Sequence, residues 1–367
     1  MDAGRQIART CMANPSRRCV LHRRLFLDQR IVDTPDLQTS TPLHLSLSPT
    51  VSARPESWQA TWLRRAIPLV MALHFGSSRR PAPDVHALRL RAHRYTRAGR
   101  IAARLLCPQV RRYADRELKG EWLRPETAAA AHTETVVLYL HGGAYYFGSP
   151  ATHRAVTVEL ARASGSAVFA LDYSLAPEHP FPAALQETLH AYRTLLARRI
   201  EPASIVLAGD SAGAGLALAA MVALRDSGEP LPGGAVLLSP WADLTTIWRA
   251  QHNVVSMNRT AMEVAAKMYL RNVRPFDVLA SPARAKLHDL PPIHIQTSDT
   301  EALCLDAREL AAKLQRQGNH VEIAEWHALP HAWHCFAPFV PEARAALGQA
   351  AAFIRARWHD AERSPFR

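Results

Sequence analysis

The chain has 367 residues, a formal net charge of +12 and 48% hydrophobic residues, enough apolar material for one large α/β domain with an attached cap, or at most two domains. No run of about 18 uncharged apolar residues occurs, so no transmembrane helix is expected. The N-terminus does not read as a signal peptide, because Arg5, Arg9, Arg17 and Arg18 interrupt it before an apolar core can form.

Five cysteines, Cys11, Cys19, Cys107, Cys304 and Cys335, are odd in number. Their spacing suits neither a disulfide framework nor a metal site. A reducing cytoplasm is the expected compartment, with no metal expected. Charge is uneven along the chain. Residues 1–125 hold 23 of the 44 Lys and Arg but only 9 of the 32 Asp and Glu, so the basic excess belongs to the N-terminal third. A basic arm of this kind can bind nucleic acid or an anionic membrane. No nucleic-acid fold motif accompanies it, and it is read as a solvated basic face with no nucleic-acid partner.

In chain order, residues 1–55 are rich in Ser, Thr, Pro and Arg and lack sustained periodicity, which predicts a flexible basic arm. Residues 56–125 read as N-terminal cap helices. Trp58–Phe75 carries an amphipathic pattern and is a candidate for membrane contact; a second helical pattern covers Asp84–Leu106. From 126 to 360 the texture becomes alternating. Val136–Leu140, Ala167–Leu171, Ile205–Ala208, Ala235–Leu238, Ile293–Thr297 and Val321–Glu325 read as buried strands. Between and after them, His153–Ser164, Pro182–Ala197, Ala212–Asp226, Asp306–Gln317 and Pro341–Trp358 read as helices. Such alternation predicts a mostly parallel sheet with helices on both faces. A helical insertion at about 245–280 breaks the rhythm.

Gly209-Asp210-Ser211-Ala212-Gly213 fits the G-x-S-x-G elbow, in which a serine is held on a strained turn between a strand and a helix. The apolar run before it and the small-residue helix after it supply that context. A serine hydroxyl needs a base, an acid to orient the base, and donors for an oxyanion. His141-Gly142-Gly143-Ala144 follows a predicted strand, and its loop offers the N–H groups of Gly142 and Gly143, with Ala212 as a third donor. The base is expected in the loop after the last strand, where His331 leads His334 and His327. For the acid, Glu301, Asp299 and Asp306 all follow the strand Ile293–Thr297.

These segments resemble the hormone-sensitive-lipase-like branch of the α/β-hydrolases, the bacterial family IV carboxylesterases. The resemblance rests on His141-Gly142-Gly143-Ala144-Tyr145-Tyr146-Phe147-Gly148-Ser149, on the segment Leu171 to Ala184 with Ala176-Pro177-Glu178-His179-Pro180, on Gly209–Gly213, and on Ser239-Pro240-Trp241 and Leu290-Pro291-Pro292, in the family's order. It covers roughly residues 80–358. The resemblance implies an eight-stranded α/β-hydrolase sheet with a helical cap, and a triad of Ser211, Glu301 and His331, the acid falling at the family's spacing ahead of the histidine. It also implies substrate contact by Tyr145, Tyr146, Phe147 and Trp241, and no cofactor. Asp172, Glu178 and Asp210 are implied as structural or loop-positioning residues.

The activity so implied is hydrolysis of short- to medium-chain acyl esters, acetyl esters and lactones included. An amidase or deacetylase on the same triad, or a non-catalytic small-ligand-binding protein, is the alternative; retention of His331 speaks against the last. A small-molecule ester is the expected partner, and a homodimer is compatible with the chain. Ala144 departs from the family's third glycine, which costs little unless that residue needs positive φ.

Overall fold

A computed structural model describes residues 57–75, 84–107, 109–126, 135–247 and 259–362. The expected arm at 1–55 and residues 248–258 of the insertion lie outside the described residues.

Six strands are those the apolar runs mark: β3 (Val136–Leu140), β4 (Ala167–Leu171), β5 (Ile205–Asp210), β6 (Gly234–Leu238), β7 (Ile293–Ser298) and β8 (Val321–Trp326). All pair in parallel. β3 to β7 are buried along their whole length, as expected of strands covered on both faces. Successive side chains point to opposite faces. Val136, Leu138 and Leu140 therefore enter one core cluster, and Val137 and Tyr139 the other. Each buried Val or Leu contributes roughly 1.5–3 kcal/mol.

Two further strands, β1 (Val110–Ala114) and β2 (Gly120–Pro125), complete an eight-stranded sheet in the order β1-β2-β4-β3-β5-β6-β7-β8. They pair antiparallel, β2 against β4. This corrects the sequence boundary: residues 110–125 belong to the sheet and not to the cap. β1 is an edge strand with Arg111, Arg112 and Tyr113 exposed, and charge on an edge hinders pairing with other chains. β2 is anchored by Trp122, whose indole N–H donates to Asp115 Oδ2 at 2.7 Å and whose ring meets Phe169 at 4.9 Å.

Helices α3 (Arg154–Ser164) and α8 (Pro341–Glu362) cover one face; α4 (Ala183–Ala197), α5 (Ala212–Asp226) and α7 (Cys304–Arg316) cover the other. α1 (Trp58–Phe75) and α2 (Val85–Leu106) precede the sheet, Ala60 and Leu63 of α1 sharing a cluster with α3 and α8, and α6 (Arg259–Leu270) lies in the insertion. Asp84 caps α2 by accepting the Ala87 N–H at 3.1 Å. Among the described residues, no helix is long and apolar enough to cross a membrane.

Candidate active site

Four loops meet at the C-terminal edge of the sheet, where ligands bind in open α/β folds. They follow β3, β5, β7 and β8. Ser211 sits between β5 and α5 with φ 53° and ψ −117°, a strained backbone for a side chain with a Cβ. Its N–H donates to Leu238 O at 2.8 Å, and its carbonyl accepts from Trp241 N–H at 3.0 Å. Those bonds hold the strain in place. The flanking glycines are required for space: a Cβ on Gly209 would stand 2.5 Å from Gly213 C, and one on Gly213 would stand 2.0 Å from Leu140 O.

His331 follows β8. Its Nε2 lies 2.9 Å from Ser211 Oγ and its Nδ1 lies 2.8 Å from Glu301 Oε2. A carboxylate only accepts, so Nδ1 carries the hydrogen and Nε2 is left to accept from the serine hydroxyl. Glu301 is itself fixed: Oε1 accepts from Thr297 Oγ1 at 2.5 Å and from Ser298 N–H at 3.0 Å. Its side chain has no exposed surface, and that of His331 is 9% exposed.

The competing residues go elsewhere. Asp299 pairs with His327 at 2.6 Å and accepts the Ala328 N–H at 2.8 Å. Asp306 accepts from Thr246 Oγ1 at 2.6 Å and lines a cleft of about 380 Å³ with Asp243, Glu309 and Lys313. His334 is fully buried and bonds Gln296 Oε1 through Nε2 at 2.8 Å. Burial pushes its pKa down to about 3.

The loop after β3 departs from expectation. Gly142 gives its N–H to Asp210 Oδ1 at 2.9 Å, so this group is spent and cannot also donate to an oxyanion. Among the described residues no acceptor takes the N–H of Gly143, Ala144 or Ala212. Gly143 has φ 117°, and a Cβ there would meet Phe147 O at 2.1 Å. Ala144 adopts φ 51°, the conformation in which its methyl costs about 1 kcal/mol.

Asp210 also accepts from Tyr139 Oη at 2.6 Å, and His153 Nε2 lies 3.3 Å from its Oδ2. Burial works against its charge, yet His153, Tyr139 and the Gly142 N–H together hold its carboxyl well below the usual carboxylate range.

The four aromatic residues divide. Trp241 is fully buried, and Tyr145 and Tyr146 nearly so; Tyr145 stacks on Tyr269 at 3.7 Å and 9°. These three pack behind the site. Of the four, Phe147 is the half-buried one. One residue with no sequence signal is Arg89 on α2. It donates to Tyr146 O at 3.0 Å and Ala176 O at 2.9 Å and binds Glu178 bidentately at 2.9 and 2.8 Å. It clamps α2 to the loop after β3, but an arginine in an Arg-rich helix carries no mark of that task.

The protein family described as alpha/beta hydrolase fold matches residues 137–335. The chain belongs to the α/β-hydrolase family. This hydrolase is 45% identical over 241 residues to an acetyl-hydrolase of Streptomyces hygroscopicus, covering 64% of the chain and 79% of that protein. It is 33% identical over 234 residues to an esterase of Acinetobacter venetianus, covering 62% and 77%. Among solved structures, an esterase from the bacterial hormone-sensitive lipase family superimposes with a TM-score of 0.71 at 34% identity, covering 83% of this hydrolase and 99% of that chain. The crystal structure of EstE5 soaked with p-nitrophenyl butyrate gives a TM-score of 0.73 at 31% identity, with the same coverage.

Proposed function

We propose that this hydrolase is a serine carboxylesterase acting on short- to medium-chain acyl esters, acetyl esters among them, with Ser211 as nucleophile, His331 as base and Glu301 as the acid that orients it. The observation that carries the reading is the unbroken chain from Ser211 Oγ to His331 at 2.9 Å and on to Glu301 at 2.8 Å. Esterase and acetyl-hydrolase relatives support the same reaction class.

Ser211 Oγ attacks the ester carbonyl carbon as His331 Nε2 takes its proton. Glu301 keeps Nδ1–H in place and stabilises the imidazolium. The carbonyl oxygen, now an oxyanion, is met by the N–H groups of Gly143, Ala144 and Ala212, which have no other acceptor to give up. The tetrahedral intermediate expels the alcohol, protonated from His331. Water then attacks the acyl-enzyme by the same route in reverse, releasing the acid and restoring Ser211.

Hydrolysis of p-nitrophenyl esters from acetyl to palmitoyl tests the substrate range. A kcat/KM that peaks at the short acyl groups supports the proposal. A peak at palmitoyl, or turnover of the matching anilides in preference to esters, overturns it.

A further inference from the structure

Behind the nucleophile, three side chains of metal-ligand type converge. His153 precedes α3, Asp210 ends β5, and Cys335 lies on the 3₁₀ turn Trp333–Phe336. One donor atom from each lies within 4.8 Å of the other two, and His153 Nε2 stands 3.3 Å from Asp210 Oδ2.

The neighbours of His153 decide which nitrogen faces this point. Nδ1 lies 3.3 Å from Ser149 O and 2.9 Å from Thr152 Oγ1. Thr152 gives its own hydroxyl hydrogen to Ser149 O at 2.9 Å. Both neighbours therefore accept, and Nδ1 carries the hydrogen. Nε2 then faces a carboxylate oxygen across a shared proton. Asp210 Oδ1 is already occupied by Tyr139 and Gly142, which leaves Oδ2 facing the imidazole. The Cys335 sulfur lies within 4.8 Å of both the ring and the carboxylate. Lone pairs of nitrogen, oxygen and sulfur aimed at one point require a cation between them: a proton, or a metal ion.

The dimensions suit zinc. Tetrahedral bonds of about 2.0–2.1 Å to nitrogen and oxygen set an N···O edge of about 3.3 Å, and 3.3 Å is the observed separation. A Zn–S bond of about 2.3 Å sets an S···N edge of about 3.6 Å, which half-buried Cys335 reaches by a modest inward movement. Thiolate with imidazole selects zinc over magnesium or calcium. The Nδ1–H bond to a backbone carbonyl is the outer contact that orients a metal-binding histidine.

We propose that His153, Asp210 and Cys335 bind a zinc ion and that its binding inhibits the enzyme. Zinc displaces the thiol proton and the proton between His153 and Asp210, both taken up by buffer. It recruits the carboxylate that holds the Gly142 loop and directly precedes Ser211, so occupancy distorts both the oxyanion donors and the nucleophile. The inhibitory half rests on the esterase reading; the binding half does not.

The test uses the full chain, stripped with a chelator and titrated with cobalt(II) and with zinc, as wild type and as Cys335→Ser. Wild type is expected to give a near-ultraviolet thiolate-to-cobalt band and to lose at least about tenfold of its ester hydrolysis on adding stoichiometric zinc, with recovery on chelation. Cys335→Ser is expected to keep the metal-free activity, lose the band and bind zinc about 10–100-fold more weakly. Absence of a thiolate–cobalt band in wild type overturns the site. So does a Cys335→Ser protein that binds zinc and is inhibited like wild type, which would place the ion elsewhere, such as on His331. A band that Cys335→Ser abolishes, without inhibition of wild type, overturns the inhibitory half. A band with no ester turnover by metal-free protein leaves the site standing and overturns the esterase reading.

Discussion

The backbone N–H of Gly142 donates to Oδ1 of Asp210 at 2.9 Å, tying the loop after β3 to the residue immediately before the nucleophile. A Cβ on Gly142 would come within 2.1 Å of Asp210 Oδ2, so the contact requires glycine. Asp210 is thus a positioning residue. Asp210→Ala should lower kcat about 10²–10³-fold, the loss seen when one oxyanion donor goes astray, with KM changed by less than about threefold. Asp210→Asn retains an acceptor for Gly142 and Tyr139 and should recover part of the rate. Steady-state kinetics on p-nitrophenyl acetate decides; equal losses in the two variants would refute a role through the Gly142 bond.

Glu301 and its rivals can be separated by single substitutions. Glu301→Gln keeps the shape but presents an amide to His331 Nδ1, favouring the wrong tautomer, and on the proposed triad should cost about 10⁴-fold in kcat, the loss a Ser-His-Asp enzyme shows for the matching change. Asp299→Asn and Asp306→Asn should stay within about threefold of wild type, because their partners are His327 and Thr246. A large loss from Asp306→Asn with Glu301→Gln nearly silent would move the acid to α7.

Two adjacent residues of the loop after β3 should respond in opposite ways. Gly143→Ala places a methyl 2.1 Å from Phe147 O at φ 117° and should reduce kcat at least about a hundredfold. Ala144→Gly relieves a φ of 51° and should leave kcat nearly unchanged while raising stability by about 0.5–1 kcal/mol. Thermal melts and kinetics on the pair check this; a destabilised Ala144→Gly would show that the methyl packs productively.

His141 and His334 are buried, and burial holds each pKa down to about 3. The unfolded value is about 6.5. Below pH 6.5 the unfolded chain binds protons that the folded chain refuses, so the stability from these neutral rings is complete above pH 6.5 and is lost as pH falls toward 3. The melting temperature should drop steadily from pH 6.5 to 5, above the range where carboxylates titrate. The drop should be shallower in His334→Gln. A melting temperature flat across that interval would mean that both rings accept protons in the folded state.

The central strands were legible because a parallel strand covered on both faces must be an unbroken apolar run, as Val136–Leu140 and Ile205–Ala208 are. β1 was not: Val110–Ala114 carries Arg111, Arg112 and an exposed Tyr113, and an edge strand with one partner has little apolar patterning to show. The elbow at Ser211 could be read because its glycines are a steric necessity recorded in the chain. Which N–H of the His141–Ala144 loop faces the pocket could not, since spacing locates a loop but not the direction of each amide; Gly142 turns to Asp210 instead. Glu301, Asp299 and Asp306 lie within eight positions and residue type does not separate them; the family's spacing points to Glu301, and the path from β7 brings it to His331. Trp241 and Tyr145 were read toward the pocket, whereas burial against Tyr269 and α5 makes them support.

Ser211 is the proposed nucleophile, made reactive by His331, and a fluorophosphonate probe followed by mass spectrometry tests this most directly. Attack by Oγ on phosphorus expels fluoride and leaves a stable phosphonyl ester. Wild type should carry one adduct, on Ser211. His331→Gln should react at least about a thousandfold more slowly, and Ser211→Ala not at all, both remaining folded. An adduct on another residue, or ester turnover that persists in folded Ser211→Ala, would contradict it.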